Sequence, residues 1–286
     1  MRILLTGAQG MLGRDIHELF ESAGHEVIAT DRAELDITDA QAVRDSVAEK
    51  KPDVIINTAA YNLVDNVEDE QYYPLAFAVN ATGPKNLAVA AKEVGIPLVH
   101  YSTDYVFAGD KPEGYKEDDQ TGSISKYGET KEAGEKAVLA SGADVYLCRL
   151  SKIYGRPGLS DGAKESVVAL MLRLAQEKPE LHVVDEEVGM PTYTKDVAEV
   201  TLAMLEEKMP FGIYHVVNSG EGVTPYTFTR EIFDLVGVTT PLHPCPRTKF
   251  PRPSSAPKFA KLLNTKLPPL RPRSEAIREF LEVMND

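Results

Sequence analysis

Short apolar runs and amphipathic stretches alternate with a regular beat over the first 155 residues. Residues 2–6 read as a buried strand, a glycine-rich turn follows, and a helical pattern runs to about Ala23. Val27–Thr30, Val54–Asn57, Pro97–Ser102 and Ala143–Leu150 supply four more strands, with helical segments between them. The third strand is apolar at Val54, Ile55 and Ile56, as a strand covered on both faces requires. Strands separated by helices predict parallel pairing with crossover connections, hence a Rossmann-type, doubly wound α/β sheet. Thr38 with Gln41 reads as a capping box opening the second helix. Beyond residue 155 the alternation weakens. Residues 164–177, 194–207, 224–236 and 274–284 look helical, the third with Thr224 as N-cap and Pro225 at its first position. Leu181–Val184 and Ile213–Val217 look like strands. The predicted organisation is a dinucleotide-type domain over 1–155 with parts of 185–220, and a smaller substrate-binding lobe drawn mostly from 156–286.

Composition narrows the function classes. At 286 residues, 43% hydrophobic and 26% charged, the chain has the make-up of a soluble globular protein with a sizeable core. No apolar run approaches the roughly 20 residues of a membrane helix, and the first strand is too short for a signal peptide. Cys148 and Cys245 belong to no CxxC pair, so a reducing, cytoplasmic setting is expected. A net charge of −13 argues against nonspecific nucleic-acid binding. The few scattered histidines form no metal-ligand cluster. Eight basic residues lie between Arg247 and Arg273 with no Asp or Glu among them. This Pro-rich basic run reads equally as an anion clamp, with Arg252 foremost, or as a solvated tail.

Three motifs carry chemistry. Gly7, Gly10 and Gly13 lie between the first strand and helix, where glycines let backbone approach a pyrophosphate at a helix N-terminus. The second strand ends at Asp31-Arg32. An acid there suits the ribose hydroxyls of NAD and a base suits the phosphate of NADP, so either cofactor fits. The small residues Thr58, Ala59 and Ala60 follow the third strand at its ligand-binding end. Thr103 ends the fourth strand, where a hydroxyl can donate to a substrate carbonyl oxygen. Tyr127 and Lys131 are one helical turn apart. A nearby ammonium favours phenolate over phenol, so the pair is a candidate acid/base centre for an alcohol–ketone interconversion.

Taken in this order, Gly7–Gly13, Ser102–Phe107 and Tyr127–Lys131 resemble the extended short-chain dehydrogenase/reductase family. Further similarity lies in Tyr127–Glu135, Gly189–Asp196, Tyr214–Gly220 and Arg252-Pro253, covering nearly the whole chain. The resemblance implies NADPH- or NADH-dependent reduction of the 4-keto group of a nucleotide sugar, with dTDP-4-dehydro-L-rhamnose the first candidate. It implies Thr103, Tyr127 and Lys131 as the catalytic trio. It places Gly7, Gln9, Gly10, Met11, Gly13, Asp31, Arg32, Asp36, Ile37, Ala59 and Ala60 against the cofactor, joined by Thr58, Tyr127 and Lys131. Val64, Thr103, Tyr105, Lys152 and Arg252 would face the nucleotide sugar. Two departures stand out. The chain has no Trp, whereas relatives of this kind usually carry one where Lys152 stands, and no Pro lies in Gly122–Lys126. Epimerases, dehydratases and a non-catalytic regulatory subunit of methionine adenosyltransferase share the resemblance and stay open as alternatives. Expected partners are a small-molecule nucleotide sugar and, in assembly, a homodimer, with neither nucleic acid nor membrane.

Overall fold

The computed structural model describes residues 1–159, 163 and 165–285. Strand β1 (Arg2–Thr6) leads through the glycine turn into α1 (Met11–Ser22), β2 (Glu26–Thr30), α2 (Ala40–Lys50) and β3 (Val54–Asn57). A short α3 (Tyr73–Phe77), a π-helical turn at Ala78–Thr82 and α4 (Gly83–Val94) follow. Then come β4 (Leu98–Thr103), α5 (Lys126–Ala140) and β5 (Val145–Leu150). The second half runs β6 (Ile153–Tyr154), α6 (Val167–Glu177), β7 (Leu181–Val184), β8 (Thr192–Tyr193) and α7 (Thr194–Glu206). It closes with β9 (Gly212–His215), α8 (Pro225–Val236), β10 (Leu242–Cys245) and α9 (Arg273–Asn285).

Six parallel strands pair in the order β2-β1-β3-β4-β5-β9. The sheet is doubly wound because successive strand residues alternate between its faces and each face is apolar. Ile3, Leu5, Val54, Ile56, Val99 and Tyr101 pack with Leu12, Ile16 and Phe20 of α1 and Val197 and Met204 of α7. Leu4, Ile55, Leu98 and Leu147 point the other way, onto Val43 and Val47 of α2, Leu87 and Ala91 of α4 and Val138 of α5. A third cluster, with Tyr154, Leu181, Tyr193, Phe228, Ile232 and Phe280, binds α6, α8 and α9 to the small parallel pairs β7–β10 and β6–β8.

Local details depart from the sequence pattern at several points. Asp39, not Thr38, caps α2 by accepting from Gln41 N and Ala42 N, while Thr38 donates its hydroxyl to Asp36. A carboxylate one residue nearer the first free N–H groups is the better-placed acceptor. Thr224 caps α8 as expected, accepting from Thr227 N at 3.1 Å. Helix α6 opens at Val167 with Ser166 as its cap; position 164 of the expected helix lies outside the described residues. The basic run is not a free tail. Arg247 pairs with Glu187, Arg252 with Asp65, Lys261 with Glu221, Arg271 with Asp196 and Arg273 with Glu231. It is a strap in which five of the eight cations meet acids elsewhere in the chain. Among the described residues no helix is long and apolar enough to cross a membrane.

Candidate active site

The chain reverses direction across the sheet between β1 and β3, and such switch points open a crevice at the carboxyl ends of the strands. Gly7 turns there with φ +72°, and a Cβ on it would stand 2.5 Å from Ala59 N. Gly13 meets the same turn from α1, where a Cβ would stand 2.3 Å from Gly7 O. Thr58 ties the two strand ends together by donating to Thr6 O (2.8 Å) and Gly7 O (2.9 Å). Gly10 is the N-cap of α1 and makes no side-chain cap bond; the first turn, opened by Met11, holds no acid. The result is a bare helix N-terminus above a close backbone turn, which suits a diphosphate.

Asp31 accepts from Gln9 N at 3.1 Å, so the acid at the end of β2 is fastened to the glycine turn. Burial raises its pKa, with the Gln9 bond opposing. Arg32 is largely exposed and 3.8 Å from Asp36. Asp36 closes a local turn by accepting from Thr38 N and Oγ1. Ile37 puts its side chain into the core beneath α4, against Gly83, and Asn86 holds its carbonyl. Ala60 is exposed on the loop after β3. The structure gathers Gly7, Gln9, Gly10, Met11, Gly13, Asp31, Thr58 and Ala59 around the turn. Arg32, Asp36 and Ala60 lie at its edge, and Ile37 offers only backbone.

The second half of the site is built on α5. Ser125 caps the helix, accepting from Gly128 N at 3.1 Å. Gly128 sits so close to the turn that follows β4 that a Cβ would stand 2.4 Å from Tyr105 O. This close approach sets Tyr127 edge-on to Tyr105, ring centres 5.5 Å apart at 81°. Val67, Ala76, Val64, Tyr61 and Ala256 complete the apolar wall around the two rings. Both tyrosines are buried, as is Lys131. Thr103 lies near enough to the Tyr127 phenol to favour its ionised form.

Electrostatics correct two expectations. The ammonium of Lys131 does not acidify the phenol here. Burial pushes the Tyr127 pKa up, with Tyr105 and Asp104 adding to it and Thr103 alone opposing. Lys131 instead donates to Tyr101 O at 2.8 Å, and burial brings its pKa down to about 8 against the pull of Glu135. Desolvation disfavours the charged form of each group and is the largest influence on both. Nor does Thr103 aim its proton at the cavity, since Thr103 Oγ1 donates to Asp104 Oδ1 at 3.0 Å.

Lys152 adopts a left-handed backbone, φ +47°. Its stem packs on Gly189 and its ammonium stands 5.4 Å from the centre of the Tyr105 ring. Burial lowers its pKa, but Tyr105, Asp104 and Glu187 together outweigh this and raise it, Arg252 opposing. Arg252 Nε donates to Asp65 Oδ1 at 2.9 Å. Its guanidinium also feels Tyr105 and Glu187. Val64, Tyr105, Tyr127, Lys152 and Arg252 therefore gather around the Tyr105 ring from five separate stretches of chain.

Three further residues enter the site without having been singled out. Asn80, fully buried in the π turn, accepts from Tyr61 N and donates to Tyr61 O and to Thr130 Oγ1 of α5 (2.8, 3.0 and 3.0 Å). Its signal in the sequence is an amide among small apolar residues. Ser151 donates to Asp104 Oδ2 at 2.7 Å. Arg149 holds Glu135, one turn beyond Lys131, through Nε (3.0 Å) and a second nitrogen (2.7 Å). Nothing local in the sequence pairs those two.

A doubly wound sheet with this glycine turn and a Tyr–Lys helix beside it defines the extended short-chain dehydrogenase/reductase class. Within that class the chain belongs to the family described as RmlD substrate binding domain, whose model matches residues 1–284. The chain is 41% identical to a dTDP-4-dehydrorhamnose reductase of Mycolicibacterium smegmatis, over 97% of this chain and 84% of the relative. It is 40% identical to another from Streptomyces griseus, over 97% and 92%. A crystal structure of a dTDP-4-dehydrorhamnose reductase from Clostridium acetobutylicum superposes with a TM-score of 0.92 at 40% identity, covering 100% of both chains. A Bacillus anthracis dTDP-4-dehydrorhamnose reductase, solved in complex with NADP, gives 0.91 at 32% identity, covering 99% of each.

Proposed function

We propose that the protein is an NAD(P)H-dependent oxidoreductase that reduces the 4-keto group of a nucleotide sugar, with dTDP-4-dehydro-L-rhamnose, giving dTDP-L-rhamnose, the first substrate to test. One observation carries the reading: Tyr127 and Lys131 are buried on one helix, Tyr127 beside Thr103 at the carboxyl end of β4, in the same parallel sheet whose β1 end forms the glycine turn. The residues fit a dinucleotide, because the cradle at Gly7 and Gly13 has no room for a Cβ and the α1 N-terminus has no side-chain cap. Gly7, Gln9, Gly10, Met11, Gly13 and Thr58–Ala59 would hold the diphosphate side, and Asp31 with Arg32 the adenosine side. Bound there, a reduced nicotinamide supplies a hydride to the keto carbon.

The chain's own groups handle the proton and the orientation. Tyr127 delivers its phenolic proton to the developing alkoxide, and it holds that proton firmly beforehand because its site is dry. Lys131, one helical turn from Tyr127 and fixed by Tyr101 O, offers a positive charge on the same helix as the phenol's proton leaves. General acid help of this kind is worth about 10²–10⁴-fold in rate. Val64 and Tyr105 wall the sugar, and Lys152 and Arg252 meet its polar and anionic groups. Incubation with dTDP-, UDP- and GDP-linked 4-keto sugars and each reduced cofactor, followed by absorbance at the nicotinamide band, tests the reading. Stoichiometric cofactor oxidation with one of them supports it. Cofactor binding without turnover of any keto sugar, or sugar turnover without net oxidation, refutes it.

A further inference from the structure

The buried carboxylate of Asp104 has no place in the chemistry described so far. It ends a line of side chains that begins at the proton donor. Tyr127 lies beside Thr103, Thr103 Oγ1 donates to Asp104 Oδ1 (3.0 Å), and Asp104 Oδ2 accepts from Ser151 Oγ (2.7 Å). Ser151 Oγ in turn accepts from Met190 N at 2.9 Å, so its single proton must go to Asp104. Tyr105 N donates to Thr103 Oγ1 at 3.3 Å from the other side. The lines are one-way. A hydroxyl has one proton, so while Asp104 is ionised the Thr103 proton points away from Tyr127. Once Asp104 is protonated it becomes a donor to Thr103, and the Thr103 proton is free to point at the phenol oxygen.

We infer that Asp104 is a positioning residue that sets the direction of the Tyr127–Thr103–Asp104 hydroxyl line and holds the proton that refills it. The inference rests on the reductase reading above. With Asp104 protonated, each group donates toward the substrate. As the Tyr127 proton passes to the substrate oxygen, the Thr103 proton passes to the phenolate oxygen and the Asp104 proton to Thr103. One O–H bond forms and one breaks at each hydroxyl, and the negative charge ends on Asp104. There it faces Lys152, and water returns the proton when the product leaves. Groups facing Asp104 are Thr103 and Tyr127 on one side, Ser151 and Lys152 on the other, with Glu187 and Arg252 acting on Lys152. Burial makes the carboxyl slower to ionise than usual, with Lys152, Ser151 and Thr103 opposing. The sign follows: reduction is fastest below the Asp104 pKa and declines as pH rises through it.

Asp104→Asn, Ser151→Ala and Lys152→Met provide the test, each compared with wild type for kcat, KM and their pH dependence. Asp104→Asn is expected to lower kcat at least about tenfold, a floor set below the roughly 10²–10⁴-fold of general acid effects. It should leave the KM for the cofactor within about twofold and abolish the ionisation that limits reduction on its alkaline side. Lys152→Met should move that ionisation up by about one pH unit, the lower range for losing a nearby opposite charge. Ser151→Ala should move it up as well, and it serves if Asp104→Asn fails to fold. An unchanged pH limb in Asp104→Asn and Ser151→Ala, or a raised sugar KM with unchanged kcat in Asp104→Asn, overturns the inference. Infrared difference spectra across the same pH range read the carboxyl without turnover. A protonated-carboxyl band that Asp104→Asn removes is expected even if no keto sugar is turned over, and its absence overturns the inference independently of the reductase reading.

Discussion

At the scale of single residues, the site is governed by dryness. Tyr127 loses more by leaving water than Thr103 returns to it, and Lys131 more than Glu135 returns, so the phenol is held protonated and the ammonium holds its proton loosely. Tyr127→Phe is expected to leave cofactor affinity unchanged and cut kcat at least about tenfold, measured by cofactor titration and initial rates. Lys131 carries a linked stability effect. Its folded pKa of about 8 lies below the unfolded value, so the unfolded chain binds more protons between the two values and stability rises with pH across that window. Below it the buried cation costs the fold about 3 kcal/mol, at about 1.4 kcal/mol per pH unit of displacement. Lys131→Met, similar in shape and uncharged, should therefore lose turnover yet gain about 1–3 kcal/mol in denaturant unfolding at pH 7, part of the 3 being offset by the lost bond to Tyr101 O. A less stable variant would show that this bond outweighs desolvation.

Among elements, α5 decides the geometry, and two glycines decide α5. Gly128 admits Tyr105 O, and Gly134 admits Asn80 O, which would stand 2.1 Å from an added Cβ. The π turn that carries Asn80 thus presses its backbone directly onto the helix bearing Tyr127 and Lys131. Overpacking of this kind costs about 1–3 kcal/mol. Gly134→Ala is expected to lose that much in denaturant unfolding and to lower kcat, because α5 must move outward. Full activity with unchanged stability would mean that the turn yields instead. The glycine turn at the N-terminus of α1 was legible from sequence because its demands are local: a positive φ at Gly7 and no Cβ at Gly13. The contact of Gly134 with Asn80 was not, since the two are 54 positions apart.

For the whole molecule, charge pairing explains why an acidic protein carries a basic segment. The strap from Arg247 to Arg273 pairs with Glu187, Asp65, Glu221, Asp196 and Glu231, residues scattered along the chain. Read along the sequence it suited a ligand clamp and a solvated tail equally, and folding turned most of it into internal stitching. Arg252 differs, since only its Nε is engaged by Asp65 and its charge reaches Tyr105 and Lys152. Hydrogen bonds to charged groups contribute about 1.5–3 kcal/mol, so Arg252→Ala should raise the KM for the nucleotide sugar about tenfold or more while kcat changes little. Equal KM values in steady-state assays would remove Arg252 from the binding site.

The sequence alone determined the alternation of strands and helices, the parallel doubly wound sheet, the glycine turn and the Tyr127–Lys131 spacing. Each depends on residues within a few positions of one another, where periodicity and backbone preference act directly. Only the tertiary structure decided that burial would raise the phenol, that Thr103 would turn its proton to Asp104, and that the basic run would be neutralised from afar. Those outcomes depend on solvent exclusion and on partners brought together from distant stretches, which no local pattern encodes.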